Sequence, residues 1–288
     1  MRELRGRTAV VTGAASGIGR ALCVAFAQQG CRIVLADIER APLEAAADEL
    51  RAAGAECLAV PTDVADADSV AALADAAVRA FGGVHIAVNN AGVSVRKPMA
   101  EFTLDDWRWT LGVDLWGTIH GVHAFLPLLR EQPEAHLVNT ASVAGLTPFP
   151  LGGAYNAAKA AVVALTETLF LELQAMAPHV GVSVLCPGAT RSNFVSSARN
   201  RPAALGTSTP PAPGNPLLAQ NEVSAALIAQ GMAPEKVAEH VIAAIRERRF
   251  WVLTHLAEYG PAIRARVEGM LAGDDPRPVD IAAILARD

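Results

Sequence analysis

Apolar residues in this chain fall in short, nearly unbroken runs rather than in strict alternation. Thr8-Ala9-Val10-Val11, Ile33-Val34-Leu35-Ala36, His136-Leu137-Val138-Asn139-Thr140-Ala141 and Val182-Ser183-Val184-Leu185 have the length and β-branched content of strands. Such runs suit strands buried on both faces. Between them lie stretches of helical composition, among them residues 20–29, 41–53 and 69–81, the first stopped by Gly30. Strand and helix alternate in this way through residues 7–141, which predicts the α/β class, a doubly wound parallel sheet with helices on both faces.

With 288 residues and neither repeat nor linker, the chain is expected to form one domain with a large core. The net charge of −5 is spread over mixed acids and bases, and without a basic patch nucleic acid is not an expected partner. No apolar run approaches the roughly eighteen residues of a membrane span. The charged residues 1–7 run straight into the first strand, leaving no room for a signal peptide, so a cytoplasmic location and a small-molecule partner are expected. Cys23, Cys31, Cys57 and Cys186 lack metal-ligand or redox spacing and read as small buried apolar residues in a reducing compartment.

The candidate chemistry begins with Tyr155 and Lys159, four residues apart in an Ala-rich, helix-favouring stretch, with Ser142 thirteen residues upstream of the tyrosine. That step puts phenol and ammonium on one helix face. A cation about 4 Å away at an effective dielectric of about 20 favours the phenolate by roughly 4 kcal/mol, enough to bring a phenol of pKa about 10 near neutrality. Ser142 ends the run starting at His136, so its hydroxyl is expected at a strand's carboxyl end, where it can polarise a carbonyl oxygen.

At the other end of the chain, residues 8–11 lead into Thr12-Gly13-Ala14-Ala15-Ser16-Gly17-Ile18-Gly19 and then a helical stretch. Strand, glycine turn and helix in this order form a cradle for a pyrophosphate, whose charge meets the amides at the helix start. The second strand ends on Asp37, at the distance expected of a carboxylate that accepts hydrogen bonds from an adenosine ribose.

Four elements together resemble the short-chain dehydrogenase/reductase family: the Gly13/Gly17/Gly19 turn, the tetrad Asn89-Asn90-Ala91-Gly92, the trio Ser142, Tyr155 and Lys159, and Pro187-Gly188 after the strand at 182–185. The resemblance runs over roughly residues 5–254. It implies a Rossmann-type sheet of about seven strands. It also implies a dinucleotide-binding and catalytic domain at 1–254, including a substrate lid at about 190–233, and a C-terminal helical extension at 255–288.

The same resemblance assigns cofactor contacts. Ser16 and Ile18 lie in the glycine turn, Asp63 and Val64 resemble the adenine-binding pair at the end of the third strand, and Asn90, Ala91 and Gly92 back the ribose. Tyr155 and Lys159 reach the nicotinamide ribose, and the loop with Pro187, Gly188, Thr190 and Ser192 receives the carboxamide. Ser192 stands where the family commonly has threonine. NAD is expected over NADP, because Asp37 repels a 2′-phosphate and the positions where NADP-binding relatives carry a basic residue hold Ser16 and Ile38; Arg20 and Arg40 do not match them. No metal is expected, His120 and His123 reading as helix-face histidines without a third ligand.

One departure concerns Asp114, in Val113-Asp114-Leu115-Trp116-Gly117, where the family usually has an asparagine that kinks the helix and holds a water joined to the lysine. A carboxylate can accept but not donate. At about 8 Å it opposes phenolate formation by roughly 1 to 2 kcal/mol, less than the lysine supplies. Asp114 is therefore counted among the catalytic residues, with an activity optimum moved toward alkaline pH.

The lid carries the Pro-rich stretch 209–216, unsuited to regular structure. Phe194, Leu205, Leu217 and Leu218, with Phe149 and Leu151, suggest a largely apolar pocket, while Arg96 and Arg191 are the cations that could serve an acidic substrate. The expected reaction is hydride transfer between NAD(H) and a hydrophobic secondary alcohol or its ketone, with Tyr155 as general acid/base. A 3-oxoacyl-thioester reductase and a non-catalytic NAD-binding sensor or scaffold are the alternatives. Ile263, Val267, Met270 and Leu271 form an apolar stripe that could pack on the domain, cover the pocket or meet a neighbouring subunit. By resemblance a homotetramer or homodimer is expected, joined through helices at about 103–130 and 152–174.

Overall fold

A computed structural model describes residues 1–207 and 226–279. Their strands are β1 (Thr8–Thr12), β2 (Arg32–Asp37), β3 (Cys57–Pro61), β4 (Ile86–Asn89), β5 (Ala135–Thr140), β6 (Val180–Cys186) and β7 (Trp251–Leu253). They form one parallel sheet in the order β3-β2-β1-β4-β5-β6-β7. Every residue of β1, β4, β5 and β6 is buried, which is why their sequences run apolar without alternating.

Helices cover both faces. Ala9 and Val11 of β1 face a layer built by α1 (Gly17–Gln28), α2 (Arg40–Ala52) and α7 (Pro234–Glu247). Val10 faces the opposite layer, built by α3 (Ala67–Phe81), α5 (Gly117–Arg130) and α6 (Gly153–Met176). This is the parallel sheet covered on both faces that the alternating runs predict, and the Rossmann type that the resemblance implies. Between α4 (Leu104–Leu111) and α5 the backbone widens into a π-helical turn, Gly112–Trp116, which carries Asp114.

Strand order reverses between β1 and β4, and the chain parts there to leave a crevice at the strands' carboxyl ends. Thr12 and Asn90 fasten its floor: the Thr12 hydroxyl oxygen accepts the Asn90 and Ala91 N–H groups at 2.9 and 3.1 Å, and Asn90 Nδ2 donates to Thr12 O at 3.0 Å.

Three local expectations need correction or completion. β3 ends at Pro61, so Asp63-Val64 lie in the following loop, where the Asp63 N–H bonds Ser69 Oγ at 3.1 Å. The C-terminal helix α8 (Leu256–Ala272) leaves Val267, Met270 and Leu271 exposed, so these residues do not pack on their own domain. Residues 209–218, with the Pro-rich stretch, Leu217 and Leu218, lie outside the described residues. All four cysteines are free thiols, three of them buried and Cys57 half-buried.

Candidate active site

A cleft of about 940 Å3 follows the crevice and gathers nearly all the residues singled out in the sequence. Gly19 and Asp114 stay out of its wall: Gly19 lies beneath the turn, where a side chain would collide with the Gly13 carbonyl, and Asp114 is fully buried behind Lys159.

At one end the glycine turn meets the start of α1. Gly13 and Gly17 have φ of +68° and +53°, conformations that favour glycine, and a Cβ on Gly17 would come within 2.9 Å of Ser192 Cβ in the opposite loop. The α1 N-terminus has no side-chain cap and no acidic residue in its first turn, so its amides and positive dipole end suit an anion. Asp37 ends β2 with its carboxylate fixed by the Ala15 and Glu39 N–H groups, each at 3.0 Å. Burial raises its pKa while these bonds oppose the rise. A carboxylate has about four lone-pair sites, so acceptors remain for ribose hydroxyls. Turn, bare helix end and aligned carboxylate together fit a dinucleotide.

Toward the middle of the cleft, Tyr155 and Lys159 stand on the first turns of α6, and Ser142 follows β5. The Ser142 hydroxyl oxygen accepts the Ala144 N–H at 3.1 Å, and the hydroxyl donates to Pro187 O at 3.4 Å. Lys159 Nζ lies 5.6 Å from the Tyr155 ring centroid and donates to Thr140 O at 3.0 Å. Asp114 Oδ1 accepts the Val93 N–H at 2.7 Å, while Oδ2 is buried with no hydrogen-bond partner among the described residues.

The expected lowering of the Tyr155 pKa by Lys159 is not what this arrangement produces. Burial pushes the phenol well above its ordinary value and the Asp114 charge pushes the same way, against a hydrogen bond with Ser142 and the charge of Arg96. The ammonium bonds a backbone carbonyl and faces the Asp114 carboxylate. Burial raises Asp114 to about 6, with Lys159 and the Val93 N–H holding it down.

Beyond Tyr155 the wall turns aromatic. The Phe149 and Phe194 rings lie 6.4 and 5.4 Å from that of Tyr155, and Trp109 and Val93 add apolar surface. Leu151 and Leu205 lie outside the wall. Arg96 lines the cleft, whereas Arg191 is exposed and does not. The chain on either side of the segment that follows Arg191 meets: Arg191 N donates to Met232 O at 3.0 Å and Met232 N to Ala189 O at 2.9 Å.

Several lining residues escaped sequence reasoning. Arg199 crosses the cleft and grips Glu39 through two bonds, Nε to Oε1 at 2.9 Å and Nη2 to Oε2 at 2.5 Å. Its distance from Glu39 along the chain left no local signal, although Glu39 lies only two positions beyond Asp37. Tyr259 brings α8 into the wall, and His255 Nδ1 accepts the Gly188 N–H at 3.1 Å, so the C-terminal extension helps to cover the cleft. His120 Nδ1 lies 2.9 Å from Val64 O and donates to it. Among the described residues no group of three or more potential metal ligands gathers.

Comparison with known proteins agrees with this geometry. The family model described as short chain dehydrogenase matches residues 7–203. A CLA biosynthesis dehydrogenase/reductase of Lactiplantibacillus plantarum is 28% identical over 278 residues, covering 96% of this chain and 97% of that protein. A C alpha-dehydrogenase of Sphingobium sp. is 31% identical over 274 residues, 93% of this chain and 85% of that protein. The crystal structure of a short chain dehydrogenase/reductase from Burkholderia phymatum in complex with NAD superimposes with a TM-score of 0.92 at 43% identity, over 96% of this chain and 98% of that one.

Proposed function

This chain belongs to the short-chain dehydrogenase family, and from that premise we propose that it is an NAD-dependent oxidoreductase acting on a predominantly apolar secondary alcohol or its ketone, with Tyr155 as general acid/base. The observation that carries the reading is the convergence of Ser142, Tyr155 and Lys159 at the centre of one cleft whose far end holds the glycine turn and Asp37. A relative in crystal complex with NAD supports the choice of cofactor.

Gly13, Ser16, Gly17 and Ile18 would cradle the pyrophosphate with Gly19 beneath them, and Asp37 would take the adenosine ribose. Asp63, Val64 and residues 90–92 would line the adenosine half, and Pro187, Gly188, Thr190 and Ser192 the carboxamide. Bound NAD would supply the acceptor for hydride in oxidation, and NADH its donor in reduction. The acid pair Asp37 and Glu39 favours NAD over NADP, since a 2′-phosphate would meet two carboxylates.

Tyr155 accepts the alcohol proton at its phenolic oxygen in oxidation and returns it in reduction. Ser142 steadies the same oxygen by hydrogen bonding. Because burial and Asp114 keep the phenol protonated, proton donation suits neutral pH and proton removal suits alkaline pH. Lys159 orients the ribose and compensates Asp114, whose unpartnered oxygen suits a water reaching toward the lysine.

A cytoplasmic homo-oligomer is part of the same proposal. The exposed Leu104 and Trp116 lie on the segment at 103–130, and Leu171 on the helix at 152–174, where apolar surface would be covered by a second copy. Light scattering on the purified protein tests assembly. A screen of secondary alcohols with NAD, read as NADH absorbance, tests the activity: turnover of apolar members is expected, and silence across the panel with NAD demonstrably bound would overturn the reading.

A further inference from the structure

Aromatic residues make up 5% of this chain against 52% hydrophobic residues in all, so rings are scarce in it and aliphatic side chains plentiful. Five rings nonetheless gather on the wall of the catalytic cleft: Trp109, Phe149, Tyr155, Phe194 and Tyr259, among them both tyrosines of the chain. Phe149 and Phe194 stand beside the Tyr155 phenol, with centroids 6.4 and 5.4 Å from its own and planes inclined to it by 40° and 58°. Both are only half-buried, so part of each ring stays open to the cleft that it lines. A ring entering beside them can meet them offset or edge to face, the arrangements that aromatic pairs prefer and that attract more strongly than an equal area of aliphatic contact.

The wall is held in place from behind. Gly152 leaves room for Phe149, since a Cβ there would come within 2.5 Å of Cε2 of that ring, and Asn156 Nδ2 donates to Phe149 O at 2.7 Å. Trp109 is 4% exposed and lies 5.4 Å from the Arg201 guanidinium, which Asp106 in turn holds at 2.9 Å. Tyr259 packs on Gly188, where a Cβ would come within 2.9 Å of its Cε2. Side chains fixed in this way lose little freedom when a ligand binds, so more of the contact energy appears as affinity.

We propose that the substrate is an aryl carbinol, a secondary alcohol whose carbinol carbon carries an aromatic ring, and that Phe149 and Phe194 are the residues that select it. This rests on the alcohol-dehydrogenase reading and deepens it. The carbinol oxygen has to lie within hydrogen-bond reach of the Tyr155 hydroxyl, roughly 3 Å, so a ring on the adjoining carbon is placed against the two phenyl groups beside that phenol. Contact with them orients the reacting carbon as well as holding it. In oxidation the carbinol C–H bond breaks as its hydride leaves for NAD, the O–H proton passes to the Tyr155 phenolate and the C=O bond forms, giving an aryl ketone and NADH; reduction reverses each transfer.

The test sets 1-phenylethanol against 1-cyclohexylethanol, and acetophenone against cyclohexyl methyl ketone, pairs that match in apolar bulk and differ in the ring. Calorimetric binding of the two ketones to the full-length protein loaded with NAD involves no turnover and reads recognition alone; acetophenone is expected to bind about tenfold tighter. The kcat/KM ratio of the two alcohols with NAD is expected to favour the phenyl member by at least as much. In the double variant Phe149→Leu/Phe194→Leu, which keeps apolar surface without rings, the ketone ratio falls to about one and the kcat/KM ratio drops by about tenfold, any intrinsic reactivity of the benzylic carbon being common to both proteins. Should the double variant not fold, as judged by circular dichroism, Phe194→Leu alone carries the comparison, with a drop of about threefold. Ketones bound equally, or the phenyl ketone not at all, would overturn the aryl class and leave the alcohol reading standing wherever an alcohol still yields NADH. An aryl preference undiminished in the variants would overturn the role of Phe149 and Phe194. No NADH from this pair or from any alcohol of the screen, with NAD bound, would overturn both readings.

Discussion

The carboxylate of Asp114 accepts the Val93 N–H at 2.7 Å through one oxygen and keeps its other oxygen buried without a partner. Burial holds its carboxyl at about 6, above the ordinary 3.8, so the folded protein binds this proton more tightly than the unfolded chain. The associated stability is therefore fully present at low pH and is lost as pH rises through about 6, a change of about 3 kcal/mol. Asp114→Asn keeps the acceptor for Val93 and removes the titration. The difference in Tm between variant and parent is expected to move in favour of the variant between pH 4 and pH 7, roughly the window between the two pKa values. Calorimetry at both pH values reads it.

The same substitution removes a negative charge that raises the Tyr155 pKa. The ascending limb of the pH profile for alcohol oxidation is expected to move toward acid by about one unit in Asp114→Asn. Superimposable kcat/KM profiles would remove Asp114 from the proton chemistry.

Arg199 and Glu39 close the adenosine end of the cleft from opposite sides. Both are partly exposed, so the pair contributes little to stability, about 1 kcal/mol or less. Its consequence is kinetic: Glu39→Gln is expected to weaken the clamp and speed NADH release severalfold, read by stopped-flow fluorescence. It also frees Arg199 from its carboxylate, so the kcat/KM preference for NAD over NADP should narrow, and should narrow further, by about tenfold, in Asp37→Ser.

Asp106, in the first turn of α4, ties Lys97 and Arg201 into a buried network. Its oxygens meet Lys97 Nζ at 2.6 Å and Arg201 Nη1 at 2.9 Å, and all three side chains are at most 5% exposed. Burial alone would raise the Asp106 pKa, but hydrogen bonds from Lys97 and Thr103 outweigh it and hold the carboxyl at about 2. The resulting stability is present above pH about 4 and lost as pH falls through about 2. Asp106→Ala strands two buried cations and is expected to cost about 3 to 5 kcal/mol, seen as a fall in Tm of roughly 10 °C. Because Asp106 holds Arg201 in place, faster proteolysis near residue 201 should accompany the loss.

Much of the fold was legible because it is written in local pattern. Unbroken apolar runs marked the central strands, and the glycine turn, Asp37 and the Ser142, Tyr155 and Lys159 trio are separated by spacings that strand and helix geometry converts directly into position. The ion pairs were not legible. Arg199 meets Glu39, and Arg201 meets Asp106, only because the chain returns over the cleft after β6. The state of the Tyr155 phenol was not legible for a different reason: the four-residue spacing gives proximity to Lys159, but burial and the Asp114 charge, which push the phenol upward, come from the tertiary fold.

The proposed chemistry turns on the Tyr155 hydroxyl, and Tyr155→Phe removes that one atom while keeping the ring between Phe149 and Phe194. NADH formation from the best alcohol of the screen is the measurement, with the Kd for NAD determined alongside by fluorescence. Turnover is expected to fall about 10³-fold with Kd changed by no more than about threefold. A variant that binds NAD normally and retains a substantial fraction of the parent rate would contradict the role of Tyr155 as general acid/base.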